Sequence, residues 1–202
     1  MFLILFQGKI LTAKDFRTIK SEIRVLGVDD GKFTPHTEGS VIVVGVVFRG
    51  GCWLDGVMHT DIAIDGFDAT EQIASMINSS PHCKQLRLIM LNGITFAGFN
   101  VVNIKKLHFA TNLPVIALTG DKPDLDSIRD ALNNLPKTGE RWKTVLEAGE
   151  IYEITSRDKK LYIVLAGISL ADAQKIIELT ATRSSFPEPL RVAHIIASGI
   201  TR

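Results

Sequence analysis

Two short runs, Ile23 to Asp29 and Leu86 to Leu91, are apolar at almost every position, the pattern of strands buried on both faces of a sheet. Each stops at a polar, glycine-marked turn, Asp29-Asp30-Gly31 in the first and Asn92-Gly93 in the second. Between them, Gly39 to Phe48 and Cys52 to Ile64 read as long strands joined at Arg49-Gly50-Gly51, a hairpin signal. Asp68-Ala69-Thr70-Glu71 then opens an amphipathic stretch with Ile73, Met76 and Ile77 on one face. Its acid-x-x-Glu spacing predicts a capped helix to about Ser79.

Upstream, Thr12 to Ser21 predicts a short helix. The apolar start, Met1 to Gln7, is too short for a signal core or a membrane span and is expected to be a packed terminal extension. Downstream, Gly93 to Asn100 reads as a loop leading into a helix through His108, and Leu113 to Thr119 as a fifth strand. Helices follow at Asp124 to Leu135 and Glu140 to Ala148, separated by Pro136 and Gly139. A hairpin at Tyr152 to Thr155 and Leu161 to Ala166, then helices at Leu170 to Ala181 and Leu190 to Ser198, close the chain. The organisation expected is an extension over 1–22 and a single domain over 23–202.

The order is strand, two-strand hairpin, helix, strand, helix, strand, then helices. A doubly wound fold alternates a helix with every strand, so the early hairpin argues against it. The order matches a ribonuclease H-like α/β arrangement: a mixed sheet with central parallel strands and helices on both faces. With the first and fourth strands parallel and about 4.8 Å apart, their ends bring Asp29 and Asn92 together, where a divalent metal would sit.

Composition narrows this. With 202 residues the chain fits one α/β domain able to bury roughly 70% of its unfolded surface. Lys and Arg total 23 against 22 Asp and Glu, so indiscriminate coating of nucleic acid is not expected. Cys52 and Cys83 are isolated and lack metal-ligand spacing, which fits a reducing cytoplasm and no membrane association. The spacings of a phosphate-binding loop and of a nucleophile elbow are absent.

The stretches Leu26-Gly27-Val28-Asp29-Asp30-Gly31, Asp65-Gly66-Phe67-Asp68-Ala69-Thr70 and Asn92 to Asn100 resemble an uncharacterised archaeal family related to endonuclease V. So does Pro187-Glu188-Pro189-Leu190-Arg191-Val192-Ala193-His194, at the start of the last helix. The resemblance implies a magnesium- or manganese-dependent protein acting on nucleic acid. Asp29 matches the acid ending the first strand, Asp65, Asp68 or Glu71 the acid near the first helix, and Asn92 the acid preceding glycine after the fourth strand. It implies catalysis by Asp29, Asp65 and Asn92, with Asp30 and Asp68 adding metal ligands. Phe96, Phe99, Asn100, Arg191 and His194 are the candidate nucleic-acid contacts: aromatics stack on bases, and Arg pairs with phosphate. Because an Asn carbonyl brings no charge to a dication, a second reading stands beside the enzyme: a non-catalytic nucleic-acid-binding module with a degenerate metal site.

Overall fold

A computed structural model describes residues 4–6, 9–11, 16, 18–35 and 37–201. Strands β1 (Ile4–Phe6) and β2 (Lys9–Leu11) pair with each other in a separate antiparallel hairpin. The chain continues through β3 (Arg24–Asp30), β4 (Ser40–Arg49), β5 (Trp53–Ala63), α1 (Ala69–Ser79) and β6 (Leu88–Asn92). A small hairpin of β7 (Thr95–Phe96) and β8 (Asn100–Val101) precedes α2 (Ile104–Thr111), β9 (Val115–Thr119), α3 (Leu125–Leu132) and α4 (Thr138–Glu147). Last come β10 (Tyr152–Ser156), β11 (Lys159–Ala166), α5 (Leu170–Thr180) and α6 (Glu188–Ile200).

Seven strands form one sheet in the order β10-β11-β9-β6-β3-β4-β5. β3, β6 and β9 run parallel at its centre, and the β4–β5 and β10–β11 hairpins flank them antiparallel. The period-two alternation of strand side chains sorts the core into two layers. Leu26, Val28, Ile89, Leu91, Val115 and Ala117 pack with Ile73 and Ile77 of α1 and Ile104 and Leu107 of α2. Their neighbours Val25, Leu88, Met90, Ile116 and Leu118 face the other way, onto Ala173, Ile176 and Ile177 of α5. α6 completes that second layer with Ala193 and Ala197 against Val44, Val46 and Phe48 of β4.

Two expectations need correction. Residues 18–20 carry no helix and Ser21 lies in a turn, while residues 12–15 and 17 of the predicted Thr12 to Ser21 helix lie outside the described residues. The stretch after Asn92 is not a plain loop but the β7–β8 hairpin, too short for its alternation to stand out in the sequence.

The placement of α6 depends on Gly27. A Cβ there would stand 2.2 Å from the carbonyl carbon of Pro189 and 2.7 Å from the nitrogen of Leu190, so the helix backbone rests directly on the strand. Gly27→Ala is expected to lower the unfolding free energy by about 3 kcal/mol, the upper part of the range for overpacking. A denaturant titration checks this, and an unchanged midpoint would mean that α6 slides freely over β3.

Candidate active site

Asp29 and Asn92 each stand one residue beyond the last register pair of the parallel β3–β6 ladder, Val28 with Leu91. Alternation turns both side chains toward α6. There Asn92 Nδ2 donates to Asp29 Oδ2 at 3.1 Å, and His194 Nδ1 lies 2.8 Å from the same oxygen. Asp29 Oδ1 accepts from the Asp30 backbone N–H at 3.0 Å. Asp29 is only 3% exposed, and burial raises its pKa although the bonds from Asn92, His194 and Asp30 pull the other way. The His194 side chain, by contrast, is 63% exposed and leads from this buried carboxylate to solvent.

The other predicted acids do not join Asp29. Asp30 is the next residue in the strand and therefore faces the opposite layer, where its Oδ2 accepts from the Ala97 N–H at 2.6 Å. Asp65, in a left-handed turn (φ 48°), accepts from the Phe99 N–H at 2.9 Å. Gly98 permits that approach: a Cβ on it would stand 2.3 Å from Asp65 Oδ1. Asp68 accepts from Asn100 Nδ2 at 2.6 Å and from the Ala63 N–H at 3.2 Å. Asp30, Asp65 and Asp68, expected as metal ligands, are thus not gathered with Asp29, and each accepts hydrogen bonds that hold a loop.

Asn100 and Phe96 are corrected as well. Asn100 is fully buried, and its Oδ1 accepts from the Ala69 N–H at 3.0 Å while its amide donates to Asp68 and Ala63. The helix cap expected from Asp68 is therefore supplied from across the fold, and Asp68 itself makes no side-chain cap bond. Phe96 is 1% exposed and belongs to the core. Neither meets a nucleic-acid strand. Phe99 is half-buried and held by its backbone. Arg191 is engaged by Glu188, a bidentate pair with its shortest contact at 2.6 Å.

Arg141 escaped the sequence reading. It is 2% exposed and donates to the carbonyls of Gly66 at 2.9 Å, Pro136 at 3.2 Å, Asp65 and Phe99. One guanidinium thereby bolts α4 to the loop before α1 and to the β7–β8 hairpin. The signal was its position on the helical stripe that continues through Val145 and Ala148, where the period calls for an apolar residue.

Among the described residues, no group of three or more His, Cys, Asp and Glu side chains is placed to hold a metal. The donor set that does converge is one carboxylate, one amide and one imidazole. Asp29 is the one charged ligand this set offers a divalent ion, and Asn92, which directs its N–H at that carboxylate, has only a neutral carbonyl to add. Beside Gly93 lies an apolar cavity of about 160 Å³, walled by Ile94, Pro123, Leu125, Val145 and Tyr162.

A family model described as Endonuclease dU matches residues 21–201. The chain belongs to the Endonuclease dU family. A UPF0215 protein of Methanothermobacter thermautotrophicus is 53% identical over 188 residues, covering 93% of this chain and 92% of the relative. A crystal structure of a protein of unknown function from Archaeoglobus fulgidus superposes with a TM-score of 0.81 at 37% identity, covering 89% of this chain and 99% of its own. Human ENDOV superposes with a TM-score of 0.61 at 15% identity, covering 93% of this chain and 89% of its own, a likeness of fold. The expected ribonuclease H-like architecture stands, and the fold is shared with endonuclease V. Among the described residues, no helix is long and apolar enough to cross a membrane.

Asp30 gives this region a pH signature. Burial pushes its carboxyl up to about 6 from the usual 3.8, against the opposing bond from the Ala97 N–H and helped by the charge of Asp29. The folded protein thus holds a proton that the unfolded chain has released, and stability falls as pH rises from about 4 through about 6. Asp30→Asn keeps an acceptor for Ala97 and removes the charge. It is expected to raise stability by about 1–3 kcal/mol at pH 8 and to change little at pH 4, as read by urea titrations at the two values.

Proposed function

We infer that the protein is an endonuclease of DNA strands containing deoxyuridine, with the Asp29, Asn92 and His194 cluster as its reacting centre. The observation that carries this reading is the convergence of those three side chains, from three separate elements, at the carboxyl ends of the central parallel strands. The substrate class follows the name of the family, Endonuclease dU.

Asp29 and Asn92 would hold a magnesium or manganese ion. When bound, such an ion supplies an activated water and offsets charge developing on the scissile phosphate. His194 does the proton work. With Nδ1 directed at Asp29, the ring is fixed in orientation, and Nε2 is the nitrogen left to exchange a proton with water or a departing oxygen.

Cleavage of an end-labelled, uracil-containing oligodeoxynucleotide with manganese tests the reading. Asp29→Asn is expected to abolish it, His194→Gln to slow it by about 10²–10⁴-fold, and a chelator to stop it. An intact oligonucleotide after incubation with the wild-type protein overturns the endonuclease.

The non-catalytic binding module remains the second reading, favoured by Asn92 standing where a carboxylate would complete the ligand set. Calorimetric titration with manganese separates the two. Saturable binding lost in Asp29→Ala and strengthened about tenfold or more in Asn92→Asp fits the enzyme. Absence of binding in both the wild type and Asn92→Asp fits the module.

A further inference from the structure

β5 is an edge strand, and among the described residues nothing pairs with its outer side. Alternation fixes which of its backbone groups face outward. The Ile64 N–H donates to the Gly39 carbonyl, just before β4, whereas the Ala63 N–H donates to Asp68 and the Ala63 carbonyl accepts from Asn100 and Gly66. Counting back in twos from Ala63, the N–H and C=O groups of Val57, His59 and Asp61 also point away from β4. Asp68 and Asn100 thus close one end of this edge and leave its middle open.

The side chains agree. Met58 and Ile62 pack into the layer beneath α1, so Val57, His59 and Asp61 stand on the opposite face of the strand. There α6 covers Val44 and Val46 of β4, the ladder partners of His59 and Val57, but its cover ends at that strand. Val57 is 51% exposed, and the exposed His59 and Asp61 side chains make no hydrogen bond or ion pair among the described residues. Edge strands are ordinarily blunted by Pro, Lys or a bulge. In β5 the one register shift falls at Leu54–Gly56, opposite Val47 and Phe48, and the stretch from Val57 to Asp61 carries neither Pro nor Lys. Trp53 and Leu54 add exposed apolar surface at the start of the same strand.

Such an edge accepts another strand, and the charges along it suit a second copy of itself. In an antiparallel pair about a twofold axis, each residue meets the one equally far beyond the axis. Centring on Met58 sets Asp55 against Asp61, and centring on His59 sets the two imidazoles together; like charges directly opposite are destabilising. Centring on Val57 would pair His59 with Asp55, whose carboxylate is already held by Arg24 and Arg49. Centring on Thr60 sets His59 opposite Asp61 twice, with Met58 opposite Ile62. We propose that the protein is a twofold dimer in which the β5 strands pair antiparallel about Thr60, joining two seven-stranded sheets into one. The outward N–H and C=O groups of His59 and Asp61 then bond to those of the partner, and each imidazole meets a carboxylate. Because β5 runs in the direction of β3, the Asp29 ends of the two sheets point opposite ways, each two strands in from the interface. The pairing does not depend on what the Asp29 cluster does.

Sedimentation velocity of the full chain at micromolar concentration tests the pairing, and the wild type is expected to sediment at twice the mass of the chain. His59→Asp, which sets Asp against Asp at both symmetry-related positions, is expected to raise the dimer dissociation constant about tenfold. Adding Asp61→Lys restores an opposite-charge pair and is expected to restore the dimer. Asp61→Pro removes an outward N–H that the monomer does not use and is expected to leave the chain monomeric. Unchanged far-ultraviolet circular dichroism in the variants separates lost pairing from lost folding. A monomeric wild type overturns the dimer; if its Val57, His59 and Asp61 amides nevertheless exchange slowly with deuterium, another segment of the same chain covers the edge. A wild-type dimer indifferent to both His59→Asp and Asp61→Pro uses another face and overturns the pairing equally.

Discussion

The structure depends on the absence of a side chain at Gly27. Only there does the backbone of α6 at Pro189 and Leu190 meet a central strand without a Cβ between them. That close seating sets the height of α6 above the sheet, and hence the height of His194 above Asp29, one turn along the helix and two residues along the strand. Were the helix raised by the thickness of a methyl group, the 2.8 Å contact between imidazole and carboxylate would open. The proline-rich start of α6 serves the same end, because Pro at the first helical turn loses no hydrogen bond and fixes where the helix begins.

Around this seat the polar residues divide into two groups with different work. On the α6 side, Asp29, Asn92 and His194 form a compact cluster that opens to solvent through the histidine. On the α1 side, Asp30, Asp65, Asp68, Asn100 and Arg141 bond largely to backbone groups. Backbone N–H and C=O groups in buried turns must be paired or they cost stability. The second group pairs them, holding the turn before α1 and the β7–β8 hairpin as a rigid rim. The acids that a count of carboxylates near the strand ends would assign to a metal thus carry architectural bonds.

Most of the fold was legible because apolar runs and glycine turns mark strands and hairpins strongly. The Ile23 to Asp29 and Leu86 to Leu91 runs, the Gly50-Gly51 hairpin and the α1 stripe all appear close to where their patterns place them. The pairing of Asp29 with Asn92 was legible too, from parallel strands of matched length. What failed was long-range or overlooked. Nothing local announces that Asn100 caps a helix 31 residues earlier in the chain. The separation of Asp29 from Asp30 was readable from alternation, since adjacent residues in a strand cannot hold one ion on one face. Burial decided Phe96: the same aromatic letter serves a loop or a core, and only the packing of the β7–β8 hairpin distinguishes them.

Asn92 follows from the burial of its neighbour. Asp29 is nearly inaccessible to water, and burial already raises its pKa. A second carboxylate at position 92, 3.1 Å away and with no cation between them, would add like-charge repulsion in a site of low dielectric. The amide instead donates a hydrogen bond to Asp29, which favours the ionised form. The bonds from Asn92 and His194 thus oppose the effect of burial on Asp29, and the second of them orients the His194 ring. In a metal site of the kind proposed, the same choice carries a cost, because an amide carbonyl offsets none of a dication's charge. An amide at position 92 thus suits a buried carboxylate that stands beside it with no cation between them, where a second carboxylate would not.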